Sequence, residues 1–232
     1  MFDSKAIKVI TLDLDDTLWA IDPVIRAAEM AMYNWLAQYC PRATARYSPD
    51  QMRRHREQLT AERPDLLHDL AATRILSLTA LLESCGYGEA DAMAAFEVLM
   101  EGRNRVVCYE DVVPALEQLT SRYAVGVITN GNADLERIGL RHHFSFIVSA
   151  REVGAAKPAP EPFLHALTEA TAIASEVLHV GDHPEHDIAG ARAAGMRTAW
   201  VNRCGRNWSQ APAPDLEVLD LLDLVRQLGA SG

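Results

Sequence analysis

Five short apolar segments, at residues 6–13, 123–129, 144–148, 177–181 and 196–201, constrain the folding of this 232-residue chain more than any other feature. Each has the length of a buried strand and ends in a turn signal, and most are followed by an amphipathic helical pattern. Strand alternating with helix predicts a parallel sheet covered on both faces, because crossover helices connect parallel strands and hide both sides of the sheet. Between residues 22 and 108 the rhythm breaks, and the spacing there predicts four helices and no strand. The first opens near Asp22-Pro23, with Asp22 as a candidate N-cap and Pro23 in the first turn, and carries Ile25, Ala28, Met32, Trp35 and Leu36 toward one side. Ser48-Pro49-Asp50-Gln51 fits a capping box opening the second. A third covers 64–85 and stops at Gly86, where glycine accepts a left-handed conformation, and a fourth covers 89–102. The expected fold class is α/β: a doubly wound, five-stranded parallel core formed by 1–21 and 109–232, with a helical bundle, 22–108, inserted after the first strand.

The balance of 22 basic and 32 acidic residues gives a net charge of −10, which argues against nucleic acid as a principal partner. It leaves room for a phosphorylated small molecule, since a local metal and a few cations hold an anion inside an acidic protein. The cysteines, Cys40, Cys85, Cys108 and Cys204, are scattered without Cys-x-x-Cys spacing, and the amino terminus lacks a signal-peptide pattern. A reduced, cytoplasmic protein is the expectation. No apolar run approaches the roughly 18 residues that a membrane span requires, so no membrane partner is expected.

The first strand pattern runs from Ile7 to Leu12 and ends in Asp13-Leu14-Asp15-Asp16-Thr17. A carboxylate leaving a core needs a metal, a cationic partner or hydrogen bonds. Three later segments supply such partners: Thr129-Asn130-Gly131 after the second apolar run, Lys157-Pro158, and Gly181-Asp182 followed by Asp187. In an open parallel sheet, ligands bind beyond the carboxyl ends of the strands. Asp13, Thr129 and Asp182 each stand at such an end, so three distant segments converge on one edge, and a helical insertion leaving that edge would cover it as a lid. Together they read as a metal-dependent phosphoryl-transfer centre. Taken singly, Asp13-x-Asp15-x-Thr17 and Gly181-Asp182 also fit ordinary turns with side-chain caps.

The ordered set Asp13-x-Asp15-x-Thr17, Thr129, Lys157 and Gly181-Asp182 with Asp187 resembles the four-part signature of the haloacid dehalogenase superfamily, and the long helical insertion resembles its helical-cap branch. The resemblance covers nearly the whole chain and implies a Rossmann-like core. It also implies a Mg2+ site formed by Asp13, the main-chain carbonyl of Asp15 and Asp182, with Asp187 supporting. In the chemistry of such a site Asp13 is the nucleophile, forming an aspartyl-phosphate that water hydrolyses. Asp15 is general acid toward the leaving alkoxide and then general base toward water. Thr129 donates its hydroxyl to a phosphate oxygen, and Asn130 and Gly131 open the next helix, whose N–H groups favour an anion. Lys157 neutralises the phosphoryl charge and steadies Asp13. It is one of only three lysines, with Lys5 and Lys8, in a chain that otherwise uses arginine.

Other clusters have blander readings. His183-Pro184-Glu185-His186 reads as a solvated loop rather than a zinc site, because a hard Mg2+ site prefers oxygen. His142-His143 reads as a surface pair, and Arg53-Arg54-His55-Arg56 as a solvated helix face. His68, Asp69 and Arg74 are candidates for contacts to the distal part of a substrate or for plain surface roles. Trp19 reads as packing. A second carboxylate beside the nucleophile favours ester hydrolysis over dehalogenation, since a departing halide needs no proton. Leu14-Asp15-Asp16-Thr17-Leu18, the stretch 63–69 and Ile128-Thr129-Asn130-Gly131-Asn132-Ala133 resemble bacterial phosphatases acting on FMN and on the phosphorylated ribitylamino-uracil precursor of riboflavin. The expected protein is a phosphatase of a small phosphorylated metabolite, monomer or homodimer. A 2-haloacid dehalogenase, a phosphomutase and a non-catalytic phosphate-ligand-binding protein are the alternatives.

Overall fold

The computed structural model describes residues 3–210 and 212–229. Among the described residues, six strands form one sheet: β1 (Val9–Leu12), β2 (Ala124–Thr129), β3 (Phe146–Ser149), β4 (Val177–Gly181), β5 (Arg197–Val201) and β6 (Leu216–Val218). All neighbours are parallel, in the order β3-β2-β1-β4-β5-β6. β1 lies in the interior of the sheet with all four residues buried, which is why it reads as an unbroken apolar run. The five predicted strands are present within a few residues of their expected ends, and β6 is an addition. Its three residues, Leu-Glu-Val, carry no run of their own; they become a strand by pairing Leu216 with Ala199 and Val218 with Val201 on β5.

The helices are α1 (Ile21–Tyr39), α2 (Pro41–Arg46), α3 (Pro49–Glu62), α4 (Leu70–Glu83), α5 (Glu89–Arg103), α6 (Val112–Thr120), α7 (Leu135–Ile138), α8 (Ala150–Val153), α9 (Pro160–Ala170), α10 (Gly190–Ala193) and α11 (Leu221–Gly229). The chain divides into two compact units. One holds the sheet and comprises the residues up to Ala20, Val107–Gly131 and those from Gly139 onward; the other is helical and comprises Ile21–Val106 with Asn132–Ile138. The expected division leaves 132–138 in the core. That segment instead joins the helical unit, where the Asp134 N–H donates to Asn104 Oδ1 at 2.8 Å and Asn132 Nδ2 approaches Met100 Sδ at 3.5 Å.

Within the helical unit, Ala28, Met32 and Leu36 of α1 pack with Leu78, Leu81 and Leu82 of α4 and with Ala92, Ala95 and Leu99 of α5. The α1–α5 crossing is close enough that a Cβ at Gly102 would lie 2.7 Å from Ala28 Cα. The Ser48 capping box is formed, with Ser48 Oγ accepting the Gln51 N–H and Gln51 Oε1 accepting the Ser48 N–H at 2.8 Å. Two expectations are corrected. Asp22 lies inside the first turn of α1 and accepts from Arg26 at 2.8 Å instead of capping. The helix expected over 64–85 is two pieces: a short 3-10 turn at Pro64–Leu66, then α4, opened by Asp69 accepting the Ala72 N–H at 2.9 Å.

Candidate active site

β1 runs between β2 and β4 with Leu12 level with Val127 on one side and Val180 on the other. This register brings the carboxyl ends of three adjacent strands together, carrying Asp13, Thr129 and Asp182. The Asp13 N–H continues the ladder, donating to Val180 O at 2.9 Å, so its side chain leaves the sheet where the strands stop. A cavity of about 170 Å3 opens there, lined by Asp13, Asp15, Thr129, Lys157, Asp182 and Asp187 together with Asn130, Gly131, Asp16, His183 and His186.

Lys157 is the cation of this cavity. It is 3% exposed, and its Nζ donates to Asp13 Oδ1 at 2.6 Å, to Asp187 Oδ1 at 2.5 Å and to Ile128 O at 2.8 Å. Burial weakens its charge, but the two carboxylates overcome this and raise its pKa above the ordinary lysine value. All three N–H groups are therefore engaged inside the protein, so Lys157 acts on an incoming anion through its charge. Asn130 holds the lysine backbone from both sides: Oδ1 accepts the Lys157 N–H at 2.8 Å, and Nδ2 donates to Lys157 O at 3.0 Å.

Asp187 is 1% exposed, and its pKa lies well below the usual carboxylate range. Burial opposes this, but Lys157 and His179 outweigh it. Its Oδ2 accepts the His183 N–H at 2.9 Å. His179, which the sequence reading passed over, is fully buried within β4 between Thr11 (Oγ1 to Nδ1, 2.9 Å) and Asp187 (Nε2 to Oδ1, 3.3 Å). Burial pushes the pKa of the ring below the ordinary histidine value, which favours the neutral form. The Asp187 carboxylate can only accept, so Nε2 carries the imidazole proton and Nδ1 accepts from the Thr11 hydroxyl. The one signal in the sequence was a polar residue inside an apolar strand. Gly181 makes room for this cluster, because a Cβ there would collide with the Asp187 carboxyl group.

Asp13 and Asp182 are the pair whose partners fail to offset burial and neighbouring charge. Burial pushes Asp13 well above its ordinary value, with Lys157 pulling against it and Asp187 adding to the rise. Asp182 is pushed up to about 7 by burial and by the Asp187 and Asp16 carboxylates. Its nearest cation, Arg206, is half-exposed at 3.7 Å. One buried ammonium thus serves three carboxylates, and oxygens of Asp13, Asp182 and Asp187 lie within 4.8 Å of one another. An all-oxygen donor set with surplus negative charge fits a hard divalent cation.

The Asp15 carboxylate stands apart from that trio, with Oδ1 accepting the Trp19 indole N–H at 2.8 Å. Asp16, next to it, has φ +61° and turns the chain. Thr129 Oγ1 accepts the Gly131 N–H at 2.9 Å, which leaves the threonine hydroxyl proton for another acceptor. The expectation that Asn130 and Gly131 open a helix is corrected. Residues 130–134 are irregular, and α7 begins at Leu135, where Asp134 Oδ1 accepts the Glu136 N–H at 3.0 Å. The Asn130 side chain is committed to Lys157 and the Gly131 N–H to Thr129, so neither forms a helix end aimed at an anion.

His183 and His186 stack with ring centroids 4.0 Å apart at the cavity wall, and His183 Nδ1 accepts the Glu185 and His186 N–H groups at 3.2 and 3.1 Å. In the helical unit, the basic run is not simply a solvated face. Arg53 and Arg56 turn onto Glu29 at 2.9 and 2.5 Å, Arg74 reaches it at 3.6 Å, and His55 Nδ1 meets Ser77 Oγ at 2.9 Å; Arg54 is exposed. Asp69 is the α4 cap, and His68 is half-buried.

Residues 7–195 match the family of haloacid dehalogenase-like hydrolases. The 5-amino-6-(5-phospho-D-ribitylamino)uracil phosphatase YigB of Escherichia coli is 29% identical over 94% of this chain and 94% of its own length. The phosphoserine phosphatase of Thermus thermophilus is 31% identical over 94% of this chain and 97% of its own length. The crystal structure of a 2-haloacid dehalogenase from Pseudomonas syringae pv. tomato superposes with a TM-score of 0.90 at 41% identity, covering 97% of this chain and 98% of that one. A central parallel sheet whose strand ends gather Asp13, Thr129 and Asp182 around Lys157, together with a family match over most of the sequence, places the chain among the haloacid dehalogenase-like hydrolases.

Proposed function

We propose that the chain is a Mg2+-dependent phosphatase that hydrolyses a small phosphomonoester through an aspartyl-phosphate on Asp13. One observation carries this reading: the Asp13 carboxylate stands at the end of an interior strand, bonded to a buried lysine at 2.6 Å, in one cavity with a second acid, Asp15. Asp13, the Asp15 main-chain carbonyl and Asp182 would hold Mg2+, with Asp187 fixed behind them by Lys157 and His179. When bound, the ion supplies the positive charge that lets an anionic nucleophile meet an anionic phosphate.

Asp13 attacks phosphorus, forming an acyl-phosphate bond as the ester P–O bond breaks, and Asp15 gives its proton to the departing alkoxide. Water then attacks phosphorus and passes a proton to Asp15. The acyl-phosphate bond breaks, inorganic phosphate leaves, and both aspartates return to their starting states. Thr129 directs its hydroxyl proton at a phosphoryl oxygen, and Lys157 holds Asp13 in line while balancing charge.

The names of the Escherichia coli and Thermus relatives support a phosphomonoester as substrate. Within that class we place a riboflavin-pathway phosphate such as FMN first, in the cytoplasm. Steady-state comparison of FMN with sugar phosphates and nucleoside monophosphates tests this, and FMN ranking among the poorest would remove it. The Pseudomonas neighbour favours a second reading, 2-haloacid dehalogenation, in which the same Asp13 would displace halide from carbon. A halide leaves without a proton, so that reaction has no use for Asp15 as an acid. Phosphate release from p-nitrophenyl phosphate, with and without Mg2+, set beside chloride release from 2-chloropropionate, separates the two. Activity on neither would leave a non-catalytic ligand-binding protein.

A further inference from the structure

We infer that Trp19 is a positioning residue for Asp15, holding the general acid through its indole N–H; this rests on the phosphatase reading above. The Trp19 side chain is fully buried, and its Nε1–H donates to Asp15 Oδ1 at 2.8 Å. An indole nitrogen donates only, and a buried donor stripped of its acceptor costs free energy, so the bond constrains both partners. The backbone that carries the ring is pinned at several points. It is bridged to Asp15 on one side and to Cys108 on the other, Trp19 O accepts the Asp16 N–H at 2.7 Å, and Leu18 O accepts the Tyr109 N–H at 3.0 Å.

The bond also sorts the two carboxyl oxygens. A donor facing Oδ1 favours that oxygen without a proton, so the indole disfavours placing the transferable proton of the acid form there. Trp19 therefore biases the direction in which Asp15 delivers its proton to the leaving oxygen and later takes one from water. Nothing in metal binding or phosphoryl charge balance uses the indole, so its contribution belongs to proton transfer. This gives it a signature that simple packing lacks: dependence on how badly the leaving group needs a proton.

The test replaces Trp19 by β-(3-benzothienyl)alanine, which keeps the bicyclic shape and puts sulfur in place of N–H, and in parallel by Trp19→Phe. For each variant kcat/KM is measured on p-nitrophenyl phosphate, whose phenolate leaves unaided, and on glycerol 3-phosphate, whose alkoxide does not. This ratio covers only the steps through departure of the alcohol, so it isolates the acid step from the base step. The expected result is a change within about twofold on the aryl ester and a loss of roughly tenfold or more on the alkyl ester. In an Asp15→Asn background the same replacement should add nothing on the alkyl ester. Equal losses on both esters, or none on either, would overturn the inference. Wild-type protein that hydrolyses neither ester would instead sink the phosphatase reading itself. Should Trp19→Phe unfold, the benzothienyl variant still decides.

Discussion

Lys157 uses its three hydrogens on Asp13, Asp187 and the Ile128 carbonyl, and two predictions follow from that arrangement. Asp13→Asn keeps an acceptor for the lysine while removing a buried charge that Asp187 repels. Turnover of p-nitrophenyl phosphate should fall by at least about a thousandfold, while the melting temperature of the metal-free protein stays level or rises; retained turnover would remove Asp13 as nucleophile. Gly181→Ala should lower stability by about 1–3 kcal/mol in urea unfolding, because a methyl group must displace the Asp187 carboxyl group from its packed position. A mutant as stable as wild type would show that the cluster yields easily. Asp13, Thr129 and Asp182 stand out in the sequence because charge and small polar groups at the end of an apolar run have few structural excuses, whereas Lys157 and Asp187 stand out only as members of the ordered set that resembles the family signature. His179 and Trp19 stand out in neither way. Each sits in an apolar context that packing explains equally well, and their roles emerge only from the partner at the far end of the hydrogen bond.

The helical unit contains its own electrostatic knot, in which Glu29 on α1 receives Arg53 and Arg56 from α3 and Arg74 from α4. Burial pulls Glu29 upward, yet hydrogen bonds and charge from Arg56 and Arg53 hold its pKa below the glutamate norm. Burial and the neighbouring Arg56 push Arg74 down to about 10. A depressed carboxylate contributes stability above its unfolded-state pKa and loses it as pH falls through the folded value. Glu29→Gln should therefore destabilise the protein by roughly 1–3 kcal/mol at pH 7, and the gap to wild type should narrow below about pH 4. Denaturant midpoints at pH 7 and pH 3.5 check this, and a pH-independent gap would assign the effect to packing. The inward turn of Arg53 and Arg56 escaped the sequence because a basic run next to acids has the same composition whether it faces water or a buried glutamate. Local signals did better at the Ser48 capping box, which is as expected, than at α4, whose start at the Asp69 cap the 64–85 expectation does not include. β6 is the opposite case, a strand created by β5.

At the scale of the whole chain, the charge balance of the cavity governs behaviour. Three carboxylates share one buried ammonium, so a divalent ion that binds the folded form and not the unfolded one should raise stability by about 2.7 kcal/mol at a hundred times its Kd. We predict that removing metal with EDTA abolishes phosphate release, that Mg2+ restores it, and that the Mg2+-dependent rise in melting temperature disappears in Asp182→Asn. An equal rise in that variant would place the ion elsewhere. The order of strands, the helical insertion and the four groups of polar residues could all be read from the chain, because hydrophobic period and charge at strand ends are properties of neighbouring residues. Which strand stands beside which, and therefore that the ends carrying Asp13, Thr129 and Asp182 are immediate neighbours within the rim the sequence predicts, required the folded sheet. So did the binding of Asp187 to Lys157 and His179, and of Asp15 to Trp19. These are contacts between segments or across a turn, and their energies depend on distance and burial, quantities that exist only once the backbone has closed.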